Sequence, residues 1–457
     1  MNTDTIAAIS TGMTEAGIGI IRLSGDQALV IANSIFDGKD LTLVDSHTVH
    51  YGHIRSGSEI IDEVLVSVFL APKTYTREDV VEISCHGGIT VLRDVLNLVF
   101  ASGARPAEPG EFTKRAFLNG RLDLSEAESV MDLIHSKSSL SRKVSLSQLS
   151  GHLSNEIKIL REKILHETAF IEAALDDPEH YDLDGYDSKL KDMIEKEWSS
   201  DIERLLHHYS EGEYLKNGIR TVIVGKPNVG KSSVLNRLSG KEKAIVTQVP
   251  GTTRDILEEQ ITLEGIPLII IDTAGIRDTE DIVEKIGVER SEKELHSADL
   301  ILFVMDKSSG MDQEDKRILS LLPTDVPCIC LLNKEDLDSV YVSEAESMNE
   351  RFDAVISLSA KEGTGFQFLK EEILKLFFHG SLSDPDEIYV TNQRQKYELD
   401  QAMNSLSLVV KTIELGMSED LYAADLMDAY RYLGLIIGEE VEDDLVDKIF
   451  SDFCMGK

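Results

Sequence analysis

The stretch Gly225-Lys226-Pro227-Asn228-Val229-Gly230-Lys231-Ser232 restricts the fold of this chain more than any other. It fits G-x-x-x-x-G-K-[ST], comes after the apolar run Ile219 to Val224, which predicts a strand, and precedes helical spacing over Ser233 to Leu238. Strand, glycine-rich turn and helix in that order are the setting a phosphate-binding loop requires. Gly225 and Gly230 let the backbone close around phosphate oxygens, so that successive N–H groups and the helix start face an anion. Lys231 is expected to reach the β- and γ-phosphates and to act in catalysis, and the Ser232 hydroxyl to bind Mg²⁺. Asn228, Val229, Gly230 and Ser233 complete this part of the expected nucleotide site. A chance glycine turn would explain the loop alone, but not the motifs downstream of it.

Those further nucleotide motifs come in a fixed order. Asp272-Thr273-Ala274-Gly275 ends the apolar strand Pro267 to Ile271, so Asp272 can hold the water shell of Mg²⁺ and the Gly275 amide can meet a γ-phosphate. Asn333-Lys334-Glu335-Asp336 ends the strand Cys328 to Leu332. The Asp336 carboxylate can pair with the guanine N1–H and 2-amino group, which adenine does not offer. Ser359-Ala360-Lys361, after the short strand Ala354 to Leu358, fits the loop that backs the base. Gly251-Thr252-Thr253-Arg254-Asp255 lies where a switch segment supplies a threonine to Mg²⁺, and Thr253 is taken as that ligand. The ordered set points to GTP.

A length of 457 residues suggests two to four domains. A hydrophobic content of 42% and a charged content of 28% are those of a globular protein, but the formal charge of −36 is extreme. Such a field repels nucleic-acid phosphates, so an RNA substrate needs a basic partner or a local basic patch; solubility is the plainer reading. The four cysteines, Cys85, Cys328, Cys330 and Cys454, show neither paired extracellular spacing nor a metal pattern. Met1-Asn2-Thr3-Asp4 lacks the features of a secretory leader, and no stretch approaches eighteen uninterrupted apolar residues. A reduced, cytoplasmic protein without a membrane span is expected.

The fold class expected is α/β plus α. Residues 1–118 read as an α+β domain, with strands at Gly17 to Leu23, Thr48 to Ile54, Ile60 to Leu70 and Val80 to Ser84, and helices at Asp26 to Phe36 and Ile89 to Ser102. His86-Gly87-Gly88 reads as a strand-to-helix turn. Long amphipathic helices then fill 119–218, with Ser125 as an N-cap and Glu128 as its capping-box partner. Residues 219–380 are expected to form a Ras-like, doubly wound P-loop GTPase domain inserted into a helical bundle that resumes over 381–457.

Phe112-Thr113-Lys114-Arg115-Ala116-Phe117-Leu118-Asn119-Gly120-Arg121-Leu122-Asp123-Leu124-Ser125-Glu126-Ala127-Glu128, the nucleotide motifs, and the terminal Phe453-Cys454-Met455-Gly456-Lys457 together resemble the MnmE (TrmE) family of tRNA-modification GTPases. The resemblance spans the chain. It implies a homodimer, formed through the N-terminal domain, that works with a flavoprotein of the MnmG type. The pair would build an aminomethyl or carboxymethylaminomethyl group on C5 of the wobble uridine of certain tRNAs. The one-carbon unit would come from 5,10-methylene- or 5-formyl-tetrahydrofolate, and FAD from the partner.

Ras-like enzymes place a Gln after the switch-strand glycine to orient water, whereas Ile276 follows Gly275 here, and an apolar side chain cannot polarise water. The resemblance assigns that work to Glu284, which spacing alone would read as an exposed helix carboxylate. It likewise implies a K⁺ ion in place of an arginine finger, held by Asn228 and by oxygens of Thr247, Val249 and Thr252, with Gln248, Pro250 and Gly251 in the same nucleotide-binding loop. Arg254 is the rival charge donor. The family's folate contacts match Arg22, Glu82, Arg121 and Lys457. A pterin edge suits a carboxylate and a glutamate tail suits cations, though each of these residues alone would read as a surface charge.

Cys454 lies near a chain end beside a terminal Lys, conditions that lower a thiol pKa. It is assigned a role close to the folate and tRNA chemistry, nucleophilic or structural; the Lys at the last position argues against a prenylation box. Two other function classes remain compatible with the GTPase motifs. One is a GTP switch for ribonucleoprotein or ribosome assembly without folate chemistry, and the other a scaffold timed by nucleotide. Binding of tetrahydrofolate separates the enzyme from both.

Overall fold

The computed structural model describes residues 4–180, 185–239, 258–263, 265–271, 295–337, 351–378, 388–439, 441, 443–451, 453 and 456. The chain divides into two compact units. One comprises Met1–Met131, Leu149–Lys191 and Gln401–Lys457, and the other Asp132–Gln148 and Asp192–Asp400.

The first unit contains a seven-stranded sheet: β1 (Ile6–Ile9), β2 (Ala16–Ser24), β3 (Phe36–Asp37), β4 (Thr48–Ser56), β5 (Glu59–Phe69), β6 (Val80–Gly87) and β7 (Arg105–Pro106), in the order β3-β4-β5-β6-β2-β1-β7. All pairs are antiparallel except β1 with β7. Alternation makes the layer. In β5, Asp62, Val64, Val66 and Val68 turn inward while Glu63 and Leu65 turn out. The inward residues meet Ile31, Ile35, Leu92, Val95 and Val99 from helices Ala28–Ile35 and Ile89–Ala101. Each such buried aliphatic side chain contributes roughly 1.5–3 kcal/mol relative to exposure. The expected strands are present, and β1 and the two-residue β3 and β7 are added; β1 is the longest of the three. Its short run, Ile6-Ala7-Ala8-Ile9, carries too little periodicity to separate strand from helix, and pairing on both edges decides it.

Among the helices of this unit, Glu419–Ile437 lies along His152–Asp176, where the Arg161 guanidinium stacks 4.0 Å from the Tyr430 ring and pairs with Glu439. The cap of helix Leu124–His135 differs from expectation. Glu126 N donates to Asp123 Oδ1 (3.0 Å) and Asp123 N to Glu126 Oε2 (2.8 Å), so the reciprocal box is Asp123 with Glu126. Ser125 is instead buried, sharing a 2.9 Å hydrogen bond with the Ser154 hydroxyl. The helix Asp443–Ser451 joins Glu111–Leu118 through Lys114 with Asp447 and through Phe117 with Phe450. Beyond it, Gly456 O accepts a 3.1 Å bond from Ser10 Oγ, so Gly456 lies against the N-terminal sheet.

The second unit contains a six-stranded sheet: β8 (Ile219–Val224), β9 (Glu258–Leu263), β10 (Ile266–Ile271), β11 (Leu300–Asp306), β12 (Cys328–Asn333) and β13 (Ala354–Ser357), in the order β13-β12-β11-β8-β10-β9. Only β9 runs antiparallel. β12 is buried at every position and β11 at all but its last, as strands covered on both faces must be. The strands that follow β8 in the chain lie on both sides of it, β10 and β9 on one and β11 and β12 on the other, so the crevice of a doubly wound sheet opens at the C-terminal end of β8. Among the described residues no helix is long and apolar enough to cross a membrane.

Candidate functional site

At the end of β8 the chain turns through Gly225, Asn228 (φ 65°) and Gly230 (φ 98°) into helix Lys231–Leu238. Gly230 is required twice over: its backbone is left-handed, and a Cβ there would stand 2.3 Å from Asn333 Nδ2. The loop curls around Lys231, whose Nζ donates to Gly225 O (2.6 Å) and Lys226 O (2.9 Å). Burial pushes the Lys231 pKa down, with Glu314 acting weakly the other way. No carboxylate lies within ion-pair distance of it among the described residues. A desolvated ammonium served only by carbonyls, beside exposed Ser232 and Asn228, is a ready partner for a multiply charged anion.

The loop is knitted to the end of β12. Asn333 Nδ2 donates to Val229 O (2.8 Å), and Asn333 Oδ1 accepts from Ala360 N (3.0 Å), so one buried amide joins the expected phosphate and base loops. Asp336 Oδ1 accepts from Ser359 Oγ (2.7 Å), and Lys361 Nζ lies 3.7 Å from its Oδ2. The Ser359 hydrogen bond and the Lys361 charge hold the Asp336 carboxyl below its ordinary range. Lys334, with φ 66°, bonds Asp306 Oδ2 at 2.6 Å. Burial pushes the Asp306 carboxyl up, and Lys334 and Ser308 outweigh it. An ionised carboxylate held by a hydroxyl presents acceptors that suit adjacent N–H donors of a purine edge.

A second site lies in the N-terminal sheet of the other unit. Arg22 Nε donates to Glu82 Oε1 at 2.8 Å, and its guanidinium lies 5.6 Å from the Tyr75 ring centroid and 5.7 Å from that of Phe112. Arg121 stacks on Tyr75 at 4.7 Å and donates to Tyr75 O (2.9 Å). Glu82, Tyr75 and Arg121, with Lys73 and Arg77, line a cavity of about 510 Å³. The Arg22 Nη1 reaches Gly456 O at 3.4 Å. Gly456 has φ 84°, and a Cβ there would stand 2.3 Å from Ile9 O, so the terminal turn seats against β1 only as glycine.

Arg22, Glu82 and Arg121 are thus brought together, and sequence reasoning missed Tyr75, which links them. A lone aromatic in the loop between β5 and β6 gives no periodic signal. His86 and Gly87, expected in a turn, are instead the last residues of β6, and His86 Nδ1 donates to Asp62 Oδ1 (2.6 Å), while Gly88 precedes the helix as expected. Asp62 raises the His86 pKa above 6.5. Cys85 and Cys328 are buried, and burial pushes each thiol up to about 12. Thr247, Gln248, Val249, Pro250, Gly251, Thr252, Thr253, Asp272, Thr273, Ala274, Gly275, Glu284, Cys454 and Lys457 lie outside the described residues.

The family model described as the GTP-binding protein TrmE N-terminus matches residues 5–121, and that of the MnmE helical domain matches residues 124–454. The chain is 52% identical over 462 residues to a tRNA modification GTPase MnmE of Lachnoclostridium phytofermentans, with 100% of each chain covered. It is 50% identical over 461 residues to the protein of that name from Acetivibrio thermocellus, with 99% of each covered. It is 48% identical over 465 residues to that of Enterococcus faecalis, covering 100% of this chain and 99% of the other. On full-length similarity of this degree, together with both family models, the chain belongs to the MnmE (TrmE) family of tRNA modification GTPases.

Proposed function

We propose that this chain binds and hydrolyses GTP in the cytoplasm and, with an MnmG-type flavoprotein, adds an aminomethyl or carboxymethylaminomethyl group to C5 of the wobble uridine of certain tRNAs. The observation that carries the reading is the presence of two built sites in one chain of this family. One is the phosphate loop tied through Asn333 to the base loop, and the other is the cavity at Glu82, Tyr75 and Arg121.

In the nucleotide site the loop amides and Lys231 bind the β- and γ-phosphates, and Asp336 selects guanine. The exposed Ser232 hydroxyl and Asn228 amide fit hard cations, Mg²⁺ with Ser232 and Thr253, and K⁺ with Asn228, Thr247, Val249 and Thr252. These ions would supply positive charge along the phosphates as negative charge builds on them. Glu284 orients the attacking water. K⁺ held there would favour pairing of the G domains of two copies and would stimulate hydrolysis.

In the N-terminal site, Glu82 suits the amino edge of a pterin and Tyr75 its face, while Arg121, Lys73 and Arg77 suit glutamate carboxylates. Tetrahydrofolate would supply the one-carbon unit there, and the partner's FAD the redox chemistry. Arg22 holds Glu82 in place. Cys454 and Lys457, which lie on either side of Gly456 in the sequence, are assigned to the folate and tRNA chemistry on this reading. Homodimer formation through the N-terminal domain is supported by Ile18, Val49, Tyr51 and Leu65, all exposed on strands of its sheet.

Tetrahydrofolate titrated into the full chain tests the enzymatic reading. Saturable binding that weakens in Arg121→Ala is expected; no binding, with GTP turnover intact, would leave the assembly-switch reading. Equal hydrolysis rates in Na⁺ and K⁺ at matched ionic strength would remove the K⁺ assignment. Removal of Cys454 to Lys457 should abolish tRNA modification while GTP hydrolysis persists.

A further inference from the structure

Lys226 directly follows Gly225 in the phosphate loop, and its side chain reaches the start of helix Gln313–Leu321. Its Nζ donates to Asp312 Oδ2 (2.6 Å) and Asp315 Oδ2 (2.8 Å). Asp315 is 0% exposed, and its Oδ1 has no hydrogen-bond partner among the described residues. Lys226 is the cation within ion-pair distance of that buried carboxylate.

The helix cap is complete without the lysine. Asp312 Oδ1 accepts from Glu314 N (2.9 Å) and Asp315 N (3.0 Å), and Asp315 Oδ2 accepts from Asp312 N (3.1 Å). A cation at a helix N-terminus opposes the helix dipole, so helix stability does not call for one here. The backbone of Lys226 shows what the contact does serve. Its carbonyl accepts from Lys231 Nζ at 2.9 Å, next to the Gly225 carbonyl at 2.6 Å. One residue therefore carries, on its main chain, half of the shelf that holds Lys231 and, on its side chain, the anchor of that shelf to the helix.

We propose that Lys226 is a positioning residue for GTP binding and hydrolysis: clamped by Asp312 and Asp315, it fixes the Gly225 and Lys226 carbonyls from which Lys231 is delivered to the phosphates. This rests on the reading of the glycine-rich loop as a GTP phosphate site. Lys226 acts through Lys231 and needs no contact with nucleotide. Losing the clamp frees the loop to carry the ammonium out of reach, which weakens ground-state phosphate binding as well as turnover.

The test uses the full chain, Mg²⁺ and either GTP or GDP, with steady-state hydrolysis, calorimetric binding and thermal melting. Lys226→Met alone would leave Asp315 buried and unpaired, so the informative variant is K226M/D315N, which removes the clamp without stranding a charge. It is expected to melt close to the native chain, with the GTP KM and the GDP Kd each raised about tenfold, equivalent to 1.4 kcal/mol. Lys226→Arg, whose guanidinium forks to both carboxylates, should recover both constants to within about threefold. Native KM and Kd in the double variant would overturn the proposal. So would a loss confined to kcat, which is what fewer folded molecules produce. If the native chain itself takes up no GTP, the reading of the site fails rather than the clamp.

Discussion

On the proposed reading Asp336 selects the base, because a carboxylate held ionised by Ser359 and Lys361 offers only acceptors. Guanine answers with two donors. In Asp336→Asn the amide NH₂ faces those donors but suits xanthine, which carries a 2-oxo group, so GTP affinity should fall by about a hundredfold while XTP binding rises. Competition of both nucleotides against labelled GDP measures the exchange; unchanged GTP affinity would remove Asp336 from base recognition. His86 gives a prediction with a sign. Its pKa is raised by Asp62, so its contribution to stability is complete below the unfolded value of 6.5 and is lost as pH rises through the higher folded value. An NMR titration should place the His86 midpoint above 6.5, and Asp62→Asn should return it to the ordinary range. At this scale the phosphate loop was legible because its residues are contiguous, whereas Tyr75 and the Lys226 anchor depend on partners distant in sequence.

Caps and strands show where local pattern stops being sufficient. Both Asp123 and Ser125 are good N-cap residues with a Glu three positions on, so the sequence offers two capping boxes. Burial of Ser125 against Ser154 selects the earlier one. Asp123→Ala should therefore cost about 1 kcal/mol of stability in denaturant unfolding, and Ser125→Ala should act through the Ser154 contact rather than through the cap. Similarly, β8, β10 and β12 were readable as apolar runs ending in chemical motifs, while β1 gained its strand character from β2 and β7. The terminal turn is an element of the same kind. Gly456→Ala forces a Cβ against Ile9 O and should weaken reduced-folate binding roughly tenfold while leaving GDP binding unchanged. Equal loss of both ligands would show a folding defect instead.

At the scale of the whole chain, motif order disclosed the guanine-nucleotide site, and family resemblance supplied what pattern could not. Arg22 and Gly456 lie at opposite ends of the sequence, yet the guanidinium reaches the Gly456 carbonyl. No periodicity carries that contact. A formal charge of −36 bears on the substrate as well. A strongly acidic molecule repels a polyanion, so tRNA should bind the chain together with the proposed flavoprotein partner more tightly than the chain alone. Fluorescence anisotropy of labelled tRNA compares the two, and equal affinity would place the tRNA surface on this chain. The central claim joins the two sites through one product. Mass spectrometry of nucleosides from tRNA incubated with the chain, the proposed flavoprotein partner, tetrahydrofolate and GTP tests it most directly. The account predicts a modified wobble uridine that disappears when folate, GTP or the chain is omitted; GTP consumed without any modified uridine would contradict it.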